Sequence, residues 1–321
     1  MDIQNYFNYC DDLVLRWIDN DKSLIQNDPF LSTQKDGAGL LETKYYSSMP
    51  EPFLGNPDSC SIVCINLNPG YTAKDVKEGI EGDEEVLSRD FAKSICPYSD
   101  YAKPFPHLAS SPHHISGAIW WQRRNVYLMS LIETYYNVKG VNMPNISKKF
   151  PFSIELCPWH SKRWSECGIK IKDNKEALTA INEHTLEPAL HAIEHSLVDF
   201  AFAVGLDVMK ALLDNGFELA MSWGPSENIE GKHFKYVHHN NVRFDNYPKT
   251  LKYRNKGKDN EEVLGLYDAY VFFKLLTKVV NGNLLKVLCV LKQGSNNVPG
   301  PEYHDLGIDR DILEYVSRVT L

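Results

Sequence analysis

The chain has 321 residues, 43% hydrophobic and 24% charged, with a formal net charge of −8, a composition that fits one globular α/β unit with insertions. The acidic balance argues against broad affinity for nucleic acid, which Lys and Arg carry against phosphate, and leaves room only for a local basic face. Seven cysteines without CxxC pairs argue for free thiols rather than a disulfide framework, and an acidic N-terminus with no apolar run of membrane length predicts a cytoplasmic protein without membrane contact.

Residues 2–27 carry apolar side chains at helical spacing: Tyr6, Phe7, Cys10, Leu13, Trp17 and Ile18, then Leu24 and Ile25. This predicts an N-terminal helical extension over residues 1–50, packed on a main domain that runs from 51 to 321. Residues 28–58 are rich in proline and glycine and read as irregular. Ser61 to Leu67 is short, apolar and β-branched, which predicts a buried strand. It stops at Asn68-Pro69-Gly70, because proline has no N–H for a ladder and glycine permits the turn. Asn66 and Asn68 fall on one side by the period of two. Ligands of open α/β sheets bind beyond the carboxyl ends of strands, so this end is a candidate ligand edge.

Residues 74–93 are charged and read as partly helical, and 94–118 form a proline-bearing stretch with His107, His113 and His114, long enough for a lid or binding loop. Residues 116–136 predict a helix. Near its start stand Trp120, Trp121, Arg123 and Arg124, a cluster that serves either for stacking on nucleic acid or as half core and half solvated face. Residues 150–161 predict a second strand ending in Cys157-Pro-Trp-His-Ser161. Glu155 within it needs a partner, since a buried carboxylate alone is costly. If the two strands are parallel, Trp159, His160 and Ser161 emerge at the same edge as Asn68.

Residues 174–196 predict helix, 197–205 a third strand ending at Gly205, and the helix after it closes at Asn215-Gly216. Residues 217–262 break the apolar pattern, and from Lys232 to Lys258 eight Lys and Arg face Asp245 alone. Lys249, Lys252 and Arg254 are the candidates there for phosphate contact. Residues 263–281 show the spacing of an amphipathic helix, 284–291 a fourth strand, and 309–319 a closing helix. Strands alternating with helices predict a three-layer α/β/α sandwich around a central, mainly parallel four-stranded sheet. The strand ends after Leu67, Leu156, Val204 and Leu291 are expected to converge on one crevice.

A strand ending Leu67-Asn68-Pro69-Gly70 resembles the first motif of the uracil-DNA glycosylase superfamily, closest to its mismatch-specific branch, where a strand ends in Asn-Pro-Gly. The second strand ending in Cys157-Pro158, and the third with Ala203-Val204-Gly205 before a helix, are similar in order. The resemblance covers roughly residues 50–300, and only its first motif is specific in residue identity. It implies hydrolysis of an N-glycosidic bond on a base extruded from DNA. By the family's pattern Asn68 would orient the attacking water. The family closes with His-Pro-Ser; at the matching place this chain has Gln293-Gly-Ser-Asn296-Asn297 and no histidine. On this reading His160 replaces the missing donor. Asn66, Gly70, Tyr71, Ser161 and Gln293 line the base, and Lys249, Lys252, Arg254 and Asn296 hold the DNA.

The same residues leave a second function open, a non-catalytic module that binds a nucleobase or nucleotide in the same crevice. The expected partner is DNA or a nucleotide ligand, and no cofactor is expected. A metal-dependent hydrolase on His107, His113, His114, His160 or His304 is disfavoured, because those five show no HxH, HxxxH or HExxH spacing among themselves.

Overall fold

Two sequence features place the first elements. Asp2 caps helix α1 (Ile3–Ile18), its side chain accepting from the Gln4 N–H, and Asp21 caps α2 (Lys22–Asn27) through the Ser23 N–H. The helical stripe of α1 buries Tyr6, Phe7, Cys10, Leu13, Val14 and Trp17. The computed structural model describes residues 2–32, 41–42, 46–69, 89–108, 115–144, 149–161, 171–223, 254–256, 262–264, 271–292 and 308–320. Short strands β1 (Leu31–Ser32) and β2 (Leu41–Glu42) pair in parallel. After them come β3 (Phe53–Leu54), β4 (Val63–Asn66), α3 (Arg89–Ile95), α4 (Tyr98–Ala102), α5 (Ile115–Lys139) and β5 (Phe152–Glu155). Then follow α6 (Lys175–Ile181), a π-helical turn at Asn182–Leu186, α7 (Glu187–Glu194), β6 (Ala201–Val204), α8 (Leu206–Asp214) and β7 (Glu218–Trp223). The chain ends with the small pair β8 (Arg254–Lys256) and β9 (Glu262–Leu264), the long strands β10 (Val271–Val280) and β11 (Asn283–Lys292), and α9 (Ile308–Arg318).

The fold is α/β with a mixed seven-stranded sheet in the order β3-β5-β4-β6-β11-β10-β7. The four strands expected from the sequence stand together within it, and β5, β4, β6 and β11 pair in parallel. The sheet is nevertheless larger than four strands and not mainly parallel, because β3, β10 and β7 extend it by antiparallel pairs. β4 and β6 read as continuous apolar runs because they are interior strands with both faces covered.

The two faces follow from alternation. Cys64, Asn66 and Phe202 share the face under α5, where Tyr127 packs on Phe202 with ring centroids 5.8 Å apart. α9 lies along α5 on that side. Phe53 sits on the opposite face, with the Tyr6 and Phe7 rings 5.6 and 5.5 Å away and Phe152 5.9 Å away. α7 packs against β4. The N-terminal helix thus belongs to the same apolar core as the sheet. None of the described helices is long and apolar enough to cross a membrane.

The predicted helix over residues 263–281 is not formed; residues 271–280 are strand β10. β10 lies between β11 and β7, and consecutive Leu275 and Leu276 are both buried, so its apolar pattern has no period of two. Val271, Thr277, Val279 and Val280 are β-branched, which favours the strand. Asn281 and Gly282, at φ +51° and +81°, supply the two-residue turn that the right-handed strand twist prefers, and the β10–β11 hairpin closes around them. β7 was likewise not anticipated, because its outer residues from Glu218 to Ala220 are not buried.

Glycine at position 55 is a local requirement of β3. Its φ is +99°, and a Cβ there would lie 2.2 Å from the Pro151 carbonyl oxygen. Gly282 also has positive φ, yet a Cβ there meets nothing within 4 Å. Gly282→Ala should therefore cost only the backbone term, about 1 kcal/mol. Gly55→Ala should cost on the order of 3 kcal/mol, because it adds a clash with backbone. Urea unfolding of the two variants tests this order.

Candidate functional site

β4 is apolar until its last residue, Asn66, and there a polar network begins. The parallel register sets Asn66 beside Glu155 and Cys64 beside Ser153. The Asn66 Nδ2 donates to Ser153 Oγ at 2.6 Å and to Glu155 Oε1 at 3.0 Å. Its Oδ1 accepts from Arg124 Nη1 at 2.8 Å. Both amide hydrogens are thereby committed, so Asn66, expected to read a base edge, instead locks β4 to β5 and to α5.

Arg124 is only 2% exposed. Its guanidinium lies over Trp120, Trp121 and Phe202, at 4.6, 5.0 and 5.8 Å from the ring centroids. Its Nε and Nη2 are buried and find no hydrogen-bond partner among the described residues. Burial lowers its pKa, opposed by the nearby Cys64 and Glu155. The Trp-Arg cluster read from the sequence therefore divides: Trp121 and Arg124 are buried, while Trp120 is exposed at 36% and Arg123 faces solvent.

The Glu155 partner required by the sequence is Asn66. Burial raises the Glu155 carboxyl from 4.5 to about 8, against the lowering effect of the Asn66 hydrogen bond, with Glu51 adding to the rise and Arg124 reducing it. Its other oxygen, Oε2, is buried and has no hydrogen-bond partner among the described residues. At neutral pH Glu155 is thus mostly a neutral acid.

Beyond the strand, backbone bonds zip the two carboxyl ends together. Leu156 N donates to Asn66 O and Cys157 N to Leu67 O, both at 2.9 Å, and Ser161 N donates to Pro69 O at 3.2 Å. This brings Ser161 to Asn68. The Asn68 Nδ2 lies 2.7 Å from Ser161 Oγ, 3.0 Å from the Trp159 carbonyl and 3.2 Å from the Pro69 carbonyl. Its nitrogen is held on three sides by acceptors. Its Oδ1 has no donor among the described residues, and the residue is only half-buried.

The other predicted members separate. Trp159 is fully buried, 5.5 Å from the Tyr46 ring. His160, expected at the edge as donor to a leaving base, is 2% exposed. Its Nε2 lies 3.0 Å from the Met49 carbonyl oxygen and 3.2 Å from Glu51 Oε2, so the ring braces the segment that leads into β3. The two strands are parallel as expected, yet the strand ends at Glu155 and residues 156–161 are buried, so of the three residues expected at the edge Ser161 meets Asn68 while Trp159 and His160 lie in the interior. Arg254 lies in β8. Gly70, Tyr71, Lys249, Lys252, Gln293 and Asn296 lie outside the described residues, as do His113, His114 and His304. Sequence reasoning passed over Ser153; its signal was a hydroxyl two residues before Glu155, on the same face of the same strand.

Comparison with family models, with curated proteins and with solved structures finds no match to this chain.

Glu155 has a consequence for stability. A carboxyl whose pKa is raised on folding binds more protons in the native than in the unfolded state, so stability falls as pH rises between the two values. The window here runs from 4.5 to about 8. Wild-type protein should lose on the order of a few kcal/mol across it through this group, and Glu155→Gln should flatten that part of the profile. Chemical denaturation at a series of pH values reads both slopes.

Proposed function

We propose that this chain is a uracil-DNA glycosylase-like protein that hydrolyses the N-glycosidic bond of a damaged or mismatched base in DNA. The observation that carries this reading is the Asn68 amide. Its nitrogen is anchored by Ser161 and the Trp159 carbonyl, which fixes the side-chain flip and leaves Oδ1 as the acceptor for a water. Such hydrolysis asks little covalent chemistry of the protein. A water adds to the sugar C1′, the base departs with the bond's electron pair while donors on the protein stabilise its charge, and the proton lost by the water ends on the departed base. Asn68 positions the water, Ser161 positions Asn68, and the Asn66–Glu155–Arg124 network keeps the strand end rigid. Tyr71 stacks on the base and Gln293 reads its edge. Lys249, Lys252, Arg254 and Asn296 hold the DNA. Support for the reading also comes from the Asn-Pro-Gly motif standing at the carboxyl end of an interior parallel strand, where ligands of such sheets bind.

A second reading is a module that binds a nucleobase or nucleotide without cleaving it. What favours it is His160, whose Nε2 is spent on the Met49 carbonyl and so does not serve as the donor to a leaving base.

The test is incubation with oligonucleotides carrying uracil, hypoxanthine or mismatched thymine, with mass analysis of released base. Release should occur in the wild type and fall by at least about 100-fold in Asn68→Ala with the fold intact. Ser161→Ala should lower kcat while leaving KM unchanged, as expected of a positioning residue. Retained release in Asn68→Ala removes Asn68 from the mechanism. A nucleotide-dependent rise in Tm without free base selects the second reading.

The DNA contact has its own measurement. Charge reversal at Lys252 and Arg254 should weaken binding to all sequences alike and reduce the slope of log affinity against log salt by about 1 per contact. An unchanged slope leaves the segment as solvated surface without a DNA contact.

A further inference from the structure

At the opposite edge of the sheet, where β4 and β6 begin, a second group of functional side chains meets. His191 and His195 are four residues apart on and just beyond α7, so their rings lie on one face, with centroids 4.6 Å apart. Asp58, in the turn that leads into β4, reaches the same point, its Oδ1 2.7 Å from His191 Nε2. One ligand atom from each of the three lies within 4.8 Å of the others. A tetrahedral zinc ion with bonds of about 2.0–2.2 Å requires ligand atoms about 3.3 Å apart. Asp58 Oδ1 and His191 Nε2 stand closer than that, so the two part by about 0.6 Å as the ion takes the place of the hydrogen between them, while rotation of the exposed His195 side chain brings its nitrogen in.

The hydrogen bonding already prepares one ligand. His195 Nδ1 lies 2.9 Å from the His191 carbonyl oxygen. A carbonyl only accepts, so Nδ1 carries the hydrogen and the neutral ring presents its Nε2 lone pair outward. An outer hydrogen bond of this kind orients histidines that bind metals. Two imidazoles and a carboxylate form a borderline donor set that suits zinc and its neighbours rather than calcium or magnesium.

We propose that Asp58, His191 and His195 bind a divalent transition-metal ion of the zinc class, with water completing its coordination. The site is independent of the nucleobase reading, since Asp58 precedes β4 while Asn68 follows it. Its effect is to tether the turn before β4 to the end of α7, two segments separated by more than 130 residues in sequence. Binding to the folded state alone stabilises that state.

The test uses the full chain stripped of metal, titrated with zinc chloride by calorimetry and followed by thermal unfolding. The wild type should take up one equivalent at this site and gain in Tm. His191→Ala and His195→Ala should each lose that equivalent or bind it at least about tenfold more weakly, with metal-free Tm and circular dichroism close to wild type. Asp58→Asn should retain folding and lose most of the zinc-dependent rise in Tm. Absence of uptake at millimolar zinc overturns the proposal. So does uptake whose affinity and stoichiometry are the same in wild type and both histidine variants, because the ion would then sit elsewhere.

Discussion

The carboxyl end of the central strand depends on one constraint: polar groups taken out of water there must find partners in the protein. Asn66 meets it. One amide joins two strands and a helix, giving its two hydrogens to Ser153 and Glu155 and taking one from Arg124. Removal of this side chain would leave a buried guanidinium and a buried carboxyl with fewer partners, which is the costly direction in a low-dielectric interior. The neutral state of Glu155 is part of the same solution, since a neutral acid avoids the full cost of a buried charge.

The polarity of the sheet sorts its chemistry. Parallel pairing sets the carboxyl ends of β4 and β5 side by side, and Asn68 and Ser161 meet there. It also sets Val63 opposite Ala201, so β4 and β6 begin at one edge. Asp58 ahead of the first and the histidines ahead of the second are brought together by that register. The residues of each site are far apart in sequence and close in space for the same geometric reason, the crossover that returns a parallel strand to its neighbour.

Much of the fold was legible because its signals are local. The Ser61–Leu67 apolar run, the helix from Ile115, the β6-turn-α8 unit and the strand after Asn283 each announce themselves within about ten residues. Residues 271–280 carry no such local signal of a strand. Mid-strand, Leu275 and Leu276 are both buried, which removes the alternation that marks a strand, and only Asn281-Gly282 signalled the hairpin. At the candidate site, Asn68 and Ser161 were read and do meet. Glu155 was read as needing a partner, and Asn66 is that partner. Arg124 was seen as part of a cluster, but nothing in its neighbours said that it, rather than Arg123, turns inward to the strand end.

For the four parallel strands, the residues alone told where each stops, which polar side chains stand at its end, and that one carboxylate would be buried, since strand termination and burial follow from side chains within a few positions. What those residues do was settled by their three-dimensional partners. The fold withdrew His160 beneath the segment before β3, committed Asn66 to the network, and left the Asn68 oxygen without a donor among the described residues. It also joined Asp58 to a histidine pair on a later helix. The physical reason is that hydrogen-bond partners are allotted by register and crossover between distant strands, and neither is written in the residues that receive them.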